Sequence, residues 1–426
     1  MKKIFLALTG SIACIKSFDL IKGFQEKGYE VQIILSKGGE KFSSRLALES
    51  MTGFPVLGPD IFAFKKTEEY LNPFQKNTSE IFAHLELSQQ SEALVVAPCS
   101  ANFLEKMASG RAVDFLSTAV LAYTNPIVVC PAMNTKMLEN PVVNANLRSL
   151  QENKNISIIH PKISGILACK EEGAGKMADV QDIILFVGQK IYAKNFPEIS
   201  EKFSQKKILI NLGGTQEKLD PVRYIGNFST GKTGKILAEK VFEMGVSSQN
   251  ISIVQGNTSF FPEISEKFFD IQKISNTEEM RASMNQKFLE SDVIVFAAAV
   301  ADFIPERYSE QKIKKDKGVV RGSHGCPLQI SIKQNIDIAK YFAQKKRPYQ
   351  IFIGFALETG DEIFLKKSLQ KKSQEKSFDI VIGNSPANIG TDAGDFLVYF
   401  SQTKKFHKFS GKKSETFEKI LAFLFL

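Results

Sequence analysis

The sequence predicts an α/β protein with two Rossmann-like, doubly wound domains. Short apolar runs alternate with stretches of helical period along the whole chain, which is typical of parallel strands buried on both faces. The chain has 426 residues, more than one ordinary core organises, so we expect two domains. Each half also opens with an apolar run that leads into a glycine turn, residues 3–9 before Gly10 and residues 207–212 before Gly213.

The first domain is predicted to span residues 1–190. Its strand candidates are residues 3–9, 31–35, 93–97, 127–130 and 156–160. Small or polar residues follow four of them, in Thr9-Gly-Ser-Ile12, Ser36-Lys37, Pro98-Cys-Ser-Ala-Asn102 and Pro131-Ala-Met-Asn134. Ligands of open parallel sheets gather at the carboxyl ends of the strands, so these loops are the predicted binding site.

The ligand of that site is predicted to be a mononucleotide. The sequence contains no G-x-G-x-x-G motif, which disfavours a dinucleotide. A serine-bearing turn beside a helix N-terminus suits a single phosphate group. Ordinary helix capping by serine and asparagine is the alternative explanation for any one of these loops.

The second domain is predicted to span residues 206–426, after a linker at 191–205. Its strand candidates are residues 207–212, 251–254, 271–274, 293–297, 351–355 and 380–382. Helical periods occur at residues 232–245, 278–289 and 361–375. The alternation again predicts a doubly wound sheet.

Charge and cysteine usage limit the partners and the compartment. The net charge is +9, yet the lysine-rich runs are local and lack interleaved arginine and aromatic residues. We therefore expect phosphate-bearing small molecules, with no nucleic acid and no membrane partner. Five cysteines without a C-x-x-C pair favour a reducing compartment. The apolar run after Met1 is too short for a signal peptide, so we expect a cytoplasmic protein.

The segment Gly226–Thr233 reads G-N-F-S-T-G-K-T and matches the Walker A pattern. It raises the alternative of a P-loop NTPase. A phosphate-binding loop, however, joins a strand directly to a helix. Here the apolar run ends near Leu212, and Pro221 and several charged residues intervene, so the context disfavours this alternative.

Five motifs of the first half resemble the homo-oligomeric flavin-containing cysteine decarboxylases. They are Gly10-Ser-Ile-Ala13, Ala83-His-Leu-Glu-Leu87, Ala97-Pro-Cys-Ser-Ala-Asn102, Pro131-Ala-Met-Asn134, and Ala168-Cys169 with Gly173-Ala-Gly-Lys-Met177. With its second half, the whole chain resembles the bifunctional coenzyme A biosynthesis family, in which phosphopantothenoylcysteine decarboxylase is fused to phosphopantothenate–cysteine ligase. The resemblance implies a flavodoxin-like first domain, FMN and Mg²⁺ as cofactors, and trimeric decarboxylase and dimeric ligase units.

The decarboxylase resemblance implies roles for individual residues. In that family FMN takes a hydride from the cysteine moiety, the carboxylate leaves as carbon dioxide, and the hydride returns. His84 matches the active-site base, which suits a neutral imidazole. Asn134 matches the residue that holds the substrate carboxylate, and Cys169 matches a proton donor on a flap. FMN contacts are implied for Gly10, Ser11, Ser36, Ser100, Ala101 and Asn102.

The ligase resemblance implies that CTP activates 4′-phosphopantothenate as an acyl-cytidylate, which the cysteine amine then attacks. Asn227 matches the residue that contacts the acyl-nucleotide, and Lys312 matches a lysine that neutralises phosphate charge. Nucleotide contacts are implied for Asp302, Lys312, Asn335, Ile336, Asp337, Ile338, Phe355, Lys372 and Lys376. The last two lysines share one helix face because they are four residues apart; a solvated helix face is their alternative explanation.

The sequence departs from the family pattern at several positions. Val113 stands where the family has asparagine, Lys170 where it has glycine, and Ile336 where it has proline. Asn211 begins a segment that differs from the family's Thr-Ala-Gly. Residues 57–79 are expected to form a surface insertion.

A regulatory flavoprotein of the halotolerance type, which binds and inhibits a phosphatase, is a second alternative. Such a protein does not need an intact ligase site. The presence of Asn227, Asp302 and Lys312 therefore favours the bifunctional enzyme.

Overall fold

The computed structural model describes residues 2–59, 83–161, 173–258, 264–313 and 330–423. The chain divides into two compact units, Met1–Pro197 and Glu198–Leu426. Each unit has its own mainly parallel sheet with helices around it. The predicted α/β class with two doubly wound sheets is confirmed.

The first unit contains a five-stranded sheet. Its strands are β1 (Lys2–Leu8), β2 (Tyr29–Leu35), β3 (Ala93–Cys99), β4 (Ile127–Pro131) and β5 (Ile156–Ile158). The order is β2–β1–β3–β4–β5, and every neighbouring pair is parallel. This is the flavodoxin-like order, which reverses direction between β1 and β3. Every residue of β3 and β4 is buried, which explains why these strands read as continuous apolar runs.

Helices surround this first sheet. They are α1 (Ser17–Glu26), α2 (Arg45–Thr52), α3 (Ala83–Gln90), α4 (Ala101–Ala108), α5 (Phe115–Ala122), α6 (Thr135–Leu138), α7 (Pro141–Gln151) and α8 (Val180–Asn195). One apolar cluster of the unit joins the sheet to these helices, with Phe5 and Val96 from strands and Phe103 and Leu147 from helices. Helix α9 (Pro197–Ser204) follows α8 directly, so most of the stretch expected to be a linker is helical.

The first residue of the expected surface insertion is buried. The Leu57 N–H donates to the Ile33 carbonyl (2.9 Å), and the Leu57 carbonyl accepts from Leu35 N–H (2.7 Å). The prediction of a surface position is wrong for Leu57, because its backbone extends the sheet beside β2. Residues 60–79 of the expected insertion lie outside the described residues.

The second unit contains an eight-stranded sheet. Its strands are β6 (Ile208–Leu212), β9 (Ile251–Gln255), β10 (Asp270–Lys273), β11 (Val293–Phe296), β14 (Ile351–Leu357), β15 (Ile380–Asn384), β16 (Ala393–Phe400) and β17 (Lys405–Lys412). The order is β10–β9–β6–β11–β14–β15–β16–β17. The first six strands in this order are parallel and reverse direction between β6 and β11, as in a Rossmann fold.

The last two strands of this sheet, β16 and β17, were not predicted. They are antiparallel, and β17 has no buried residue in its sequence Lys-Phe-His-Lys-Phe-Ser-Gly-Lys. An edge strand with so many polar residues lacks the apolar run that indicated the inner strands. Two small hairpins complete the unit, β7 (Glu217–Lys218) with β8 (Tyr224–Ile225), and β12 (Phe303–Pro305) with β13 (Ile332–Gln334).

The helices of the second unit form two layers. They are α10 (Lys232–Glu243), α11 (Thr277–Phe288), α12 (Ile338–Ala343), α13 (Glu362–Lys376) and α14 (Lys413–Ala422). Leu209 and Phe352 of the sheet pack with residues of α11, α12 and α13 in one apolar cluster. Phe288 and Phe342 belong to this cluster, with ring centroids 4.6 Å apart. Across both units, no described helix combines the length and apolarity needed to cross a membrane.

Leu209→Ala is expected to destabilise the protein by about 2–5 kcal/mol, because Leu209 is fully buried and its truncation leaves a cavity. Leu289→Ala is the matched control, since Leu289 is 55% exposed and its loss should change stability by less than about 0.5 kcal/mol. Urea unfolding followed by circular dichroism measures both variants. Equal unfolding midpoints would contradict the assignment of Leu209 to the core.

Candidate active sites

In the first unit, the two loops at the reversal of strand order are bound together by Thr9. This side chain follows β1 and is buried. Its hydroxyl donates to the Pro98 carbonyl and accepts from Ser100 N–H, both at 2.8 Å. Thr9 begins one of the predicted binding loops, but no role was predicted for its side chain.

The three serines predicted to contact FMN all accept backbone hydrogen bonds. Ser11 accepts from Ala13 N–H (3.4 Å), Ser36 from Gly39 N–H (3.1 Å) and Ser100 from Phe103 N–H (3.4 Å). Each therefore caps a local turn or helix, as the alternative explanation requires. A serine hydroxyl that accepts in this way still has a hydrogen to donate, so capping is compatible with a phosphate contact.

The geometry around these serines fits a phosphate group. Ala101 and Asn102 are the first residues of α4, where backbone N–H groups have no partner within the helix and attract anions. Gly10 and Gly38 bring two loops together so closely that a Cβ on Gly10 would lie 3.2 Å from the Gly38 Cα. Larger residues at either position would close the space beside β1.

Asn134 lies in a loop that is bound to the glycine-rich segment after residue 172. Its amide oxygen accepts from Lys136 N–H (2.9 Å) and caps α6. Met133 N–H donates to the Gly175 carbonyl (3.2 Å), and the Thr135 hydroxyl donates to the Ala174 carbonyl. The loop that carries Asn134 and the segment 173–175 thus form one structural unit.

The other two predicted decarboxylase residues are less fully described. His84 lies in α3, and its side chain is outside the described part of the structure. The other end of this helix is anchored, because Asn125 Nδ2 donates to the carbonyls of Ser88 (2.5 Å) and Ser91 (2.7 Å). Cys169 and Lys170 lie outside the described residues.

Val113 is the other position in this unit that differs from the family pattern. It is 56% exposed and precedes Asp114, the N-cap of α5.

In the second unit, Asn211 binds the two central strands together at the reversal of strand order. It is buried near the end of β6, and its amide oxygen accepts from Ala297 N–H (2.9 Å) and Ala298 N–H (3.1 Å). Gly213 follows with φ +81°, where a Cβ would lie 2.8 Å from the Gly256 carbonyl carbon. The departure from the family's threonine thus has a structural role that the sequence pattern did not indicate.

A second connection at the same edge involves Thr215, which is also buried. Its hydroxyl accepts from Ala301 N–H at 3.0 Å. Asn335 Nδ2 donates to the Ala301 carbonyl (2.7 Å) and to the Thr277 hydroxyl (2.8 Å). The amide of Asn335, a predicted nucleotide contact, therefore holds the loop after β11 in place.

The structure brings Asn227 and Asp302 together. Asn227 Nδ2 donates to the Val300 carbonyl (2.8 Å) and to Asp302 Oδ2 (3.3 Å). Both residues are exposed. Since the amide nitrogen is held by these two acceptors, the Asn227 oxygen is directed elsewhere and can accept a hydrogen bond from a ligand.

The segment 335–338, which is predicted to contact the nucleotide, is bound to the loop that carries Asp302. Asn335 N–H donates to the Asp302 carbonyl (2.9 Å), and Asp337 caps α12 by accepting from Lys340 N–H (3.0 Å). Ile338 is buried, whereas Ile336 is 48% exposed. Within this segment, the side chains of Asn335, Ile336 and Asp337 therefore lie nearer the surface than that of Ile338.

The two lysines of α13 are held by carboxylates. Lys372 pairs with Glu358 (2.7 Å) and Lys376 pairs with Asp337 (2.7 Å). Burial, the largest single effect, raises the pKa of each carboxyl, but the lysine hydrogen bonds and charges, together with hydrogen bonds from Lys340 N–H to Asp337 and from Ser368 to Glu358, outweigh it and lower the pKa of both acids. These contacts argue against a solvated helix face and link Lys376 to the Asn335–Ile338 segment.

Phe355 is separated from these lysines by the sheet. Its neighbour Ala356 packs in the cluster of α11, α12 and α13, and successive strand residues face opposite sides. The Phe355 ring lies 6.0 Å from that of Phe417 in α14. Lys312 is exposed near the end of a described range, beside Ile313, whose N–H donates to Asp220 Oδ2 (3.1 Å).

The Walker-like segment has another structural context. Helix α10 follows the two-residue strand β8 of a separate hairpin, not a strand of the parallel sheet. Lys232 pairs with Asp392 (2.5 Å) and donates to the Gly390 carbonyl (3.2 Å), so its ammonium holds the loop before β16. This geometry argues against the P-loop alternative.

No group of three or more His, Cys, Asp or Glu side chains in the described ranges could hold a metal ion. Three cysteines of the described ranges, Cys14, Cys99 and Cys130, are buried. Burial raises the pKa of the Cys14 and Cys99 thiols. Cys14 and Cys130 therefore behave as small buried apolar residues, as expected from the sequence.

Asn211→Leu is expected to cost about 1–3 kcal/mol of stability, because the partly buried Ala298 N–H loses its side-chain acceptor. Asn285→Leu is the matched control, since Asn285 is exposed on α11 and its change should stay within about 0.5 kcal/mol. Thermal unfolding measures the difference. A variant at Asn211 as stable as the control would show that this bond does not hold the two strands together.

Two family models together match nearly the whole chain. Residues 1–192 match the Flavoprotein model, and residues 203–425 match the model of the DNA/pantothenate metabolism flavoprotein C-terminal domain. Among solved structures, a C-terminal domain of Coenzyme A biosynthesis bifunctional protein CoaBC is similar, with 26% identity, a TM-score of 0.41, and 52% of this chain and 94% of that chain covered. A mutant of PPC decarboxylase complexed with pantothenoylaminoethenethiol has 32% identity, a TM-score of 0.37, and coverage of 44% and 96%.

Two named relatives match along nearly the whole chain. The Coenzyme A biosynthesis bifunctional protein CoaBC of Borreliella burgdorferi is 30% identical over 428 residues, covering 100% of this chain and 99% of the relative. The protein of the same name from Bacillus subtilis is 29% identical over 410 residues, covering 95% and 92%. The chain therefore belongs to the family of coenzyme A biosynthesis bifunctional proteins, with a flavoprotein domain followed by a DNA/pantothenate metabolism flavoprotein C-terminal domain.

Proposed function

We propose that this protein is a bifunctional enzyme of coenzyme A biosynthesis. Its second unit joins cysteine to 4′-phosphopantothenate at the expense of CTP, and its first unit decarboxylates the product to 4′-phosphopantetheine. The observation that carries the proposal is the meeting of Asn227 and Asp302 at the reversal of strand order in the second sheet. A regulatory flavoprotein of the halotolerance type would have no use for this second site.

In the ligase reaction, a carboxylate oxygen of 4′-phosphopantothenate attacks the α-phosphorus of CTP, and pyrophosphate leaves. The cysteine amine then attacks the acyl carbon, and CMP leaves. Asn227 would accept a hydrogen bond from the acyl-nucleotide while its amide nitrogen is held by Val300 and Asp302. Lys312, Lys372 and Lys376 would neutralise phosphate charge, which is the main requirement of phosphoryl transfer.

The nucleotide would lie along the edge formed by Asp302, the Asn335–Ile338 segment and the start of α13. The proximity of Lys376 to Asp337 supports this path. Phe355 would contribute through its backbone, since its ring packs on Phe417. Mg²⁺ would be bound mainly by the triphosphate, as is usual for this ion.

In the decarboxylase, the loops of Gly10, Ser11, Ser36 and the N-terminus of α4 would hold the phosphate of FMN. Bound FMN would supply a reversible acceptor of hydride. Asn134 would orient the substrate carboxylate without the desolvation cost of a second charge. His84 would accept a proton, and Cys169 would return one to the product.

The proposed setting is the reducing cytoplasm, which the odd number of cysteines without a C-x-x-C pair supports. We also propose trimeric decarboxylase units and dimeric ligase units. Large exposed apolar side chains in both units support association, among them Ile15 (72% exposed) and Phe228 (95% exposed). Native mass spectrometry of the purified protein would measure the assembly.

Both reactions can be tested in one assay. Purified protein supplied with FMN should release pyrophosphate over many turnovers only when CTP, 4′-phosphopantothenate and cysteine are all present, because the acyl-nucleotide needs the amine to turn over. Carbon dioxide should follow in equal amount. Sustained pyrophosphate release without cysteine, or a protein that fails to take up FMN, would refute the corresponding half.

Lys372→Met should lower kcat/KM for CTP by about tenfold or more, because a charge-assisted contact with phosphate is worth about 1.5–3 kcal/mol. Lys371→Met is the matched control, since Lys371 lies next to it on the same helix with 74% of its side chain exposed, against 29% for Lys372. The measurement is initial pyrophosphate release at varied CTP. Equal losses in the two variants would indicate a general effect of helix charge.

A further inference from the structure

The Asp220 carboxylate is buried although it lies in a surface turn. Its side chain has no exposed area. One oxygen, Oδ1, accepts from Val222 N–H (2.7 Å) and Arg223 N–H (2.8 Å), which is the usual way an aspartate stabilises its own turn. The other oxygen is not needed for that turn.

The second oxygen, Oδ2, connects the turn to a segment 93 residues further along the chain. It accepts from Ile313 N–H at 3.1 Å, and the Arg223 guanidinium lies 3.3 Å from it. A second bond joins the same two segments, since Ser309 N–H donates to the Leu219 carbonyl (3.0 Å). The backbone of Lys312 therefore lies between two bonds to this turn, while its side chain is exposed.

The same turn also positions Asn227. Leu219 N–H donates to the Arg223 carbonyl (2.9 Å) and closes the hairpin of β7 and β8, whose last residue is Ile225. Asn227 follows two residues later. One buried carboxylate thus sets the relative position of a predicted ligase lysine and the residue predicted to contact the acyl-nucleotide.

We propose that Asp220 is a positioning residue of the ligase, which holds Lys312 at the phosphates through the Ile313 amide. This inference rests on the proposed role of Lys312. It predicts that the bond to Ile313 matters for the rate even though Asp220 itself does not touch substrate. A misplacement of about 1 Å in a charged group is enough to cost up to a hundredfold in rate.

The substitution Asp220→Asn is designed to remove the bond to Ile313 N–H while keeping the two bonds within the turn. The amide has one acceptor oxygen, which the two local N–H groups hold, so its NH₂ group faces the Ile313 N–H and the bond is lost. Asp292→Asn is the matched control. Asp292 Oδ2 also accepts a distant backbone N–H, that of Lys207 (2.8 Å, 85 residues away). This bond lies where β6 and β11 begin, at the amino ends of the strands, and an asparagine there keeps it.

The experiment uses the full-length, FMN-supplied protein and combines two measurements. Asp220→Asn should lower kcat for pyrophosphate release about tenfold to a hundredfold and should speed amide hydrogen exchange at Ile313. In a Lys312→Gln background the same change should cost less than about twofold, because residues that act through one another are not additive. Asp292→Asn should leave both the rate and the exchange unchanged.

Unchanged exchange at Ile313 in Asp220→Asn, or an equal loss of rate in both backgrounds, would overturn the proposal. An equal loss would mean that Asp220 acts only through general stability. Full activity of Lys312→Gln alone would instead refute the proposed role of Lys312. That failure is distinguishable, because hydrogen exchange reports on the Asp220–Ile313 bond without any reference to activity.

Discussion

Backbone groups at the carboxyl ends of the central strands must find partners, and both sites depend on how they do so. Where strand order reverses, the two neighbouring loops part and leave N–H and carbonyl groups without ladder partners. The Thr9 side chain provides hydrogen-bond partners for these groups in the first sheet. The side chains of Asn211 and Thr215 provide them in the second. Short buried side chains thus fix the loops on either side of each reversal of strand order.

Charge is arranged locally around these rigid edges. The chain is basic overall, yet Lys232, Lys372 and Lys376 each pair with a carboxylate. Such pairs hold long side chains in defined directions, which reduces the entropy lost when a phosphate binds. Paired lysines therefore have two different roles within the second unit. Lys232 fastens a loop, whereas Lys372 and Lys376 border the edge at which the nucleotide is proposed to lie.

Much of the fold could be predicted because buried parallel strands leave continuous apolar runs. The parallel strands of both sheets were found at nearly their observed bounds. The edge strand β17 was not found, because it has no buried face and thus no apolar pattern. Leu57 was misjudged for a related reason: its pairing beside β2 depends on backbone contacts that side-chain patterns do not encode.

The sequence by itself determined the α/β class and the two-part organisation, since these follow from periodicity, and its motifs predicted candidate site residues through their resemblance to a family. Only the tertiary structure decided which residues meet. Asn227 reaches Asp302 across 75 residues, and Asp220 reaches Ile313 across 93. Spacing alone suggested that Lys232 binds phosphate, whereas the fold gives it Asp392 as a partner. Such long-range pairs depend on strand order, which no local pattern specifies.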